Sequence, residues 1–319
     1  MLVRVPNWQS VSVVVPVFNA EATLDELVDR IEATLAGTLF EIVLVNDGSA
    51  DGSWQRIVAL AAEHPSVRGL GLSRNFGQHN ALLAGVRAAR CDVIVTLDDD
   101  LQNPPEEIPK LLAQLGNGTD LVYGTPAVRQ HKPWRNLSAR LVRVGLKSAA
   151  GAEFAASVSP FRAFFADLRD ASGSFVGPFV SLDVLLSWAT TQVGAVEVEH
   201  AERKVGASTY SFGKLVSLAM TMLTGFSTRP LRVASLIGLA ATGLGLLMLV
   251  YVVVRFFIDG NPVPGFPLLA SMIAIFSGAQ LFALGIMGEY IGRMHVRTMS
   301  QPAYVVRIDT GSPGAQSAE

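Results

Sequence analysis

A single cysteine, Cys91, stands in the 319 residues, so no internal disulfide is available to staple the chain. Cys91 opens an apolar run where a small buried thiol fits, and a packing role is expected of it in preference to a nucleophilic one. Charge is also scarce: Asp, Glu, Lys and Arg make up 16% of the residues, the formal net charge is −2, and no long basic block occurs. Nucleic acid is therefore not an expected partner. No Gly-x-Gly-x-x-Gly follows the first strand-like run and no Gly-Lys-Ser/Thr loop exists, which removes the phosphate cradles of dinucleotide oxidoreductases and P-loop enzymes. The N-terminus lacks the charged, apolar, small-residue order of a secretory signal, and strand-like sequence begins at Val11. The bulk of the chain is expected to stay in the cytosol.

What the chain has in plenty is apolar sequence, 50% of all residues. Two runs concentrate it, Val233 to Ile258 and Phe266 to Ile291, each as long as the ~20 residues that span a bilayer. Both are predicted to be transmembrane helices. The connection Asp259-Gly-Asn-Pro-Val-Pro-Gly265 is short and rich in turn formers, so a tight antiparallel hairpin is expected. Arg229 and Arg232 precede the first run, Arg293 and Arg297 follow the second, and the connection carries no cation, which puts both ends in the cytosol. Ahead of the hairpin, Leu215, Leu218, Ala219, Met222 and Phe226 recur at helical spacing; an interfacial helix and an ordinary packed helix both fit that pattern.

Residues 1–212 alternate β-branched runs with amphipathic stretches. Val11–Val15, Glu41–Val45, Val67–Leu72 and Val93–Leu97 read as strands, and the alternation implies a mostly parallel sheet flanked by helices. Asp51 or Ser53 is expected to cap the second helix, Ala81–Ala89 to form the third, and Pro104-Pro-Glu-Glu107 to open another. In open α/β sheets ligands bind beyond the carboxyl ends of the strands. Here those ends carry Pro16-Val-Phe-Asn19, Asn46-Asp-Gly-Ser49, Ser73-Arg-Asn-Phe-Gly77 and Asp98-Asp-Asp-Leu-Gln102. Any one of them passes for a turn; four at one edge make a site. Three adjacent carboxylates closing a buried strand raise one another's pKa unless a cation sits among them. Oxygen donors without a His/Cys set point to Mg2+ or Mn2+ rather than zinc, although an acidic helix cap would show the same cluster. Asp98, Asp100 and Gln102 share one side of an extended segment.

The chain resembles the polyprenyl-phosphate branch of family 2 glycosyltransferases, which have the GT-A fold. The resemblance rests on Val14-Val-Pro-Val-Phe-Asn19, Val45-Asn-Asp-Gly-Ser49, Leu72-Ser-Arg-Asn-Phe-Gly-Gln78, Leu97-Asp-Asp-Asp-Leu-Gln-Asn-Pro-Pro-Glu106, Arg203-x-x-Gly-x-Ser-x-Tyr210, Pro230-Leu-Arg232 and Gly288-Glu-Tyr-Ile-Gly-Arg293. It implies an α/β GT-A sheet in 1–212, an amphipathic interfacial segment in 213–231, two transmembrane helices in 232–292 and a cytosolic tail in 293–319. It further implies inverting, metal-dependent transfer of a sugar from a UDP- or GDP-sugar to polyprenyl phosphate at the inner membrane. Pro16, Asn19, Asp47, Asp98 and Asp99 would then line the nucleotide-sugar pocket, and Asp98, Asp100 and Gln102 would hold the metal. Arg203, Lys204, Ser208 and Tyr210 would meet the acceptor phosphate, with Asp100 and Arg203 the residues on which catalysis depends.

Two positions depart from the family pattern: Ala20 stands where an acidic residue is usual, and Pro126 where an Arg is. Arg129, Lys132 and Arg135 are nearby cations. A phosphate monoester is mostly dianionic at neutral pH, with a second pKa near ~6, so a general base is dispensable. Asp183 lies roughly where other family 2 enzymes place a base, and equally where it would cap a helix. Expected partners are membrane lipids, a second copy of the chain, and a downstream flippase and membrane glycosyltransferase. A processive polysaccharide synthase would need a Gln-x-x-Arg-Trp segment and more than one hairpin; a non-catalytic membrane scaffold or flippase accessory would have no use for the acidic cluster.

Overall fold

A computed structural model of the chain describes residues 8–126, 158–170, 181–201, 229–259, 265–299 and 301–311. The four β-branched runs are strands: β1 (Ser10–Val17), β2 (Leu39–Asn46), β3 (Val67–Leu72) and β4 (Val93–Thr96), each with ends within two residues of those expected. They lie parallel, with β1 between β2 and β4 and with β3 outside β2. Helices α1 (Leu24–Thr34), α2 (Ser53–Glu63) and α3 (Gln78–Ala88) connect them. After β4 come α4 (Ile108–Gln114), β5 (Leu121–Pro126), β6 (Arg162–Phe165), α5 (Leu182–Ala189) and β7 (Val193–Val198). β6 runs antiparallel to both β4 and β5, and β7 lies parallel to β5.

The strand alternation builds two cores. Val11, Val13, Val15 and Val17 of β1 point to one face, under Leu24, Leu27 and Ile31 of α1, Ile57 and Leu60 of α2, and Ile108 and Leu111 of α4. Val14 points to the other, against Ala81, Leu82 and Val86 of α3 and Leu182 and Leu186 of α5. Each fully buried aliphatic side chain contributes roughly 1.5–3 kcal/mol, so the two faces together fix the sheet register. α3 approaches so closely that a Cβ on Gly85 would stand 2.4 Å from Val14 Cγ1 and 2.9 Å from Val45 Cγ2.

Two local expectations change. Gly52, not Asp51 or Ser53, is the N-cap of α2, and Asp51 Oδ1 accepts instead from the Ser53 N–H at 3.1 Å. The segment after the second long helix is more than a tail: Val306–Asp309 returns as β8, antiparallel to β3. The sheet order is then β7-β5-β6-β4-β1-β2-β3-β8. Arg68 of β3 clamps Asp309 through a two-pronged pair, Nε to Oδ1 at 2.9 Å and Nη2 to Oδ2 at 2.6 Å. That pairing holds the Asp309 carboxyl below the usual carboxylate range. It also covers an edge that would otherwise present unpaired backbone groups.

Two long helices, α6 (Arg229–Asp259) and α7 (Gly265–Thr298), pack along each other, with the Phe276 ring seated on Gly245. Val233–Val254 of α6 is long and apolar enough to cross a membrane. Leu236, Leu239, Leu246 and Leu247 are exposed along it, an apolar surface suited to lipid rather than water. The expected interfacial segment lies outside the described residues up to position 228.

Gly85→Ala should lower the thermal midpoint of the detergent-solubilised protein, because overpacking against two stiff valines costs roughly 1–3 kcal/mol. The Val14→Ala/Gly85→Ala double variant should recover part of that loss. A double variant as unstable as the sum of the singles would contradict the close approach of α3 to β1.

Candidate active site

Every strand end at the carboxyl edge of the parallel sheet is tied to another. Asn19, in the left-handed region at φ +53°, donates its N–H to Ser49 Oγ at 3.0 Å and accepts the Ala50 N–H on Oδ1 at 2.8 Å. The loops after β1 and β2 are thereby stitched together. Asp47 accepts the N–H groups of Phe76 (2.7 Å) and Gly77 (2.8 Å), which anchors the loop after β3. Burial pushes the Asp47 carboxyl up, and the two N–H bonds oppose that shift without cancelling it. Gly48 is required between them: its φ is +67°, and a Cβ would stand 2.6 Å from the Asn75 nitrogen and 2.7 Å from the Arg74 carbonyl carbon.

The acidic row diverges. Asp98 Oδ1 accepts from Gln78 Nε2 at 2.7 Å, Asp99 Oδ2 from the Phe18 N–H at 3.1 Å, and Asp100 Oδ1 from the Gln102 N–H at 3.2 Å. Thr23 Oγ1 closes the far side by donating to the Asp99 carbonyl at 2.7 Å. Leu101 makes the fan. It adopts φ +58°, unfavourable for a branched residue by roughly 1–2 kcal/mol, and is held there by burial of its side chain in the core. Burial, reinforced by the charges of Asp100 and then Asp99, pushes the Asp98 carboxyl up to about 7.

A divalent cation fits this donor set. Among the described residues no three His, Cys, Asp or Glu side chains converge on one point. Mg2+ and Mn2+ take only one or two carboxylates from a protein and complete their shells with water and phosphate oxygens, which is what a row with one strongly destabilised carboxylate can offer. The site can therefore stabilise a phosphate-bearing leaving group.

Behind the row is a buried polar cluster. Arg162 of β6 pairs with Asp183 of α5, donates Nε to Thr96 Oγ1 at 3.0 Å, and neighbours Tyr123, whose hydroxyl donates to Asp183 Oδ1 at 2.9 Å. Burial, then the Asp183 charge, raises the Tyr123 pKa, and burial lowers that of His79 on α3, so both stay neutral. Asp183 thus does not cap α5, where Ser181 is the N-cap, and its carboxylate is committed to an ion pair.

Pro16, Asn19, Asp47, Asp98, Asp99, Asp100 and Gln102 are brought to one edge. Arg203, Lys204, Ser208 and Tyr210, together with Arg129, Lys132 and Arg135, lie outside the described residues. Sequence reading missed Gln78, Thr96, Leu101 and Arg162. The signal for Arg162 was available: a lone charge inside Phe161-Arg-Ala-Phe-Phe165, a strand with no polar alternation, needs a buried partner. Gly48→Ala should lower the thermal midpoint of the detergent-solubilised protein by several degrees, because the added Cβ meets backbone atoms of the third loop. An unaltered midpoint would contradict the packing of the second loop on the third.

A profile of the family described as Glycosyl transferase family 2 matches residues 12–172. Over 306 residues the chain is 38% identical to the undecaprenyl-phosphate 4-deoxy-4-formamido-L-arabinose transferase of Shewanella sediminis, spanning 94% of this chain and 92% of that protein. The protein of the same name from Pseudomonas aeruginosa is 37% identical over 311 residues, spanning 96% and 92%. The crystal structure of Mycobacterium tuberculosis glucosyl-3-phosphoglycerate synthase with Mn2+, uridine diphosphate and glucosyl-3-phosphoglycerate has a TM-score of 0.51 at 21% identity. It covers 68% of this chain and 78% of that one, a likeness of fold. A GT-A sheet with its acidic row at the carboxyl edge, a family profile over half the chain and full-length likeness to named transferases place this protein in glycosyltransferase family 2.

Proposed function

We propose that the protein transfers a sugar, with inversion, from a nucleoside-diphosphate sugar to a polyprenyl phosphate at a membrane surface, making a lipid-linked sugar for cell-envelope glycans. The observation that carries the reading is the acidic row at the sheet edge in a chain that also holds a membrane-length helix. The names of the relatives, undecaprenyl-phosphate transferases matched over nearly the whole chain, support the same acceptor class. The neighbouring structure with UDP and Mn2+ supports a uridine nucleotide donor and a divalent ion.

In this reading Pro16, Asn19, Asp47 and Asp99 shape the nucleotide end, and Asp98, Asp100 and Gln102 hold Mg2+ or Mn2+. When bound, the ion would neutralise charge on the departing diphosphate. The acceptor phosphate is already dianionic near pH 7, so it attacks without a base, in keeping with the ion-paired state of Asp183. Arg203, Lys204, Ser208 and Tyr210 are its proposed donors, Arg203 giving the strongest, charge-assisted contact. The Ala201 N–H donates to the Gln102 carbonyl at 2.9 Å, so the described chain ends, just ahead of these positions in sequence, against the acidic loop. α6 and α7 form the proposed hairpin, with the catalytic domain and both termini on the cytosolic side and 260–264 on the other.

Membranes containing the protein, supplied with undecaprenyl phosphate and a panel of radiolabelled UDP- and GDP-sugars, should yield label in the organic extract. Asp100→Ala should reduce transfer roughly 100-fold or more with the fold intact. Label confined to the aqueous phase for every donor, or near-native transfer by Asp100→Ala, would sink the reading. For topology, Asn261→Cys in a Cys91→Ser background should react with an impermeant maleimide in intact spheroplasts; reaction only after permeabilisation would reverse the orientation.

A further inference from the structure

The buried cluster behind the acidic row has no part in the transfer as described. Strand register places Thr96 of β4 opposite Arg162 of β6, and Arg162 opposite Tyr123 of β5, so three polar side chains cross the sheet in one line. They are 0%, 1% and 0% exposed, and Asp183, covering them from α5, is 5% exposed. The bonds are shared out closely. Arg162 holds Thr96 on one side and Asp183 on the other, the Tyr123 hydroxyl donates a hydrogen bond to the same Asp183 oxygen, and Thr96 Oγ1 donates to the Pro160 carbonyl at 2.8 Å.

Stability alone is a weak reason for a buried ion pair. Taking a guanidinium and a carboxylate out of water costs several kcal/mol per ion, and an apolar pair of similar volume is often as stable or more so. The location is what matters: Thr96 and Asp98 alternate onto the same side of the chain, so the residue that pins Thr96 sits beneath the first member of the acidic row.

We propose that Arg162 is the positioning residue of the donor site: locked by Asp183, Tyr123 and Thr96, it fixes the end of β4 and so aims the Asp98 carboxylate, while Asp183 serves as its counter-ion and not as a base toward the acceptor. The inference rests on the reading that Asp98 faces a nucleoside diphosphate and its cation. The role differs from metal ligation because Arg162 is buried beneath the row and acts through the carboxylate above it.

The test uses the full chain in detergent, with UDP and Mn2+ as probes. Arg162→Met/Asp183→Leu removes both buried charges at once and should fold with a thermal midpoint near that of wild type. Its Mn2+-dependent UDP affinity should fall at least tenfold and its kcat at least 100-fold, with the KM for polyprenyl phosphate unchanged. A folded double variant with native UDP affinity and kcat would overturn the proposal, since the cluster would then be structural only. Asp183→Asn should keep Mn2+-dependent UDP affinity within threefold and retain measurable turnover. Loss of turnover as complete as in Asp100→Ala, with UDP affinity untouched, would overturn the proposal in favour of a catalytic base. Arg162→Lys keeps a charge against Asp183 but cannot also hold Thr96, so it carries the test if the double variant fails to fold: reduced UDP affinity supports the role and native affinity refutes it. Absence of Mn2+-dependent UDP binding by the wild-type chain would instead overturn the donor-site reading on which the inference stands.

Discussion

Three carboxylates on consecutive residues at the end of a buried strand repel one another, and the surrounding loops are organised around that repulsion. Asp98 is held from α3 by Gln78, Asp99 from the β1 loop by the Phe18 N–H, and Asp100 from its own turn by the Gln102 N–H. These donors orient the three carboxylates away from one another. Burial, with the Asp100 and Asp99 charges adding to it, pushes the Asp98 carboxyl up to about 7. A site kept in this state favours whatever brings positive charge to it, and a phosphate-bound divalent ion answers both its charge and its open coordination.

The parallel half of the sheet was legible because four β-branched runs each ended in a polar turn, and because a valine face and a helix face must alternate along β1. The acidic row was legible for a different reason, since consecutive carboxylates are costly anywhere without a use. β8 was not. Val306–Asp309 is four residues long, and what makes it a strand is the pairing with β3 and the Arg68–Asp309 clamp across 241 positions of sequence. Leu101 was equally hidden, because a left-handed leucine is imposed by burial and not by its own preference. Gly52 took the cap from Asp51 because Asp51 had a nearer use, bonding the Ser53 N–H and hydroxyl.

β8 also links the two parts of the molecule. α7 ends at Thr298, and within a short connection the chain enters the sheet at Val306. On the way the Val305 carbonyl accepts the Ser73 N–H at 3.0 Å, at the head of the loop whose Phe76 and Gly77 bind Asp47. The second long helix, which packs along the membrane-length α6, is therefore joined by backbone pairing to the loop that anchors on Asp47. For an enzyme whose donor is water-soluble and whose acceptor is lipid-borne, such a tie limits how far the two substrates can drift apart.

If the acidic row is a donor site, a nucleoside diphosphate and a divalent cation should bind to it together. Calorimetry of Mn2+ with UDP or GDP, run in two buffers of different ionisation enthalpy at pH 7 and at pH 8.5, counts the protons released on binding. The nucleotide should bind only with the metal, and a substantial fraction of a proton should leave at pH 7, almost none at pH 8.5, and little at either pH from Asp98→Asn. Metal-independent nucleotide binding, or proton release at pH 7 unaltered by Asp98→Asn, would contradict it.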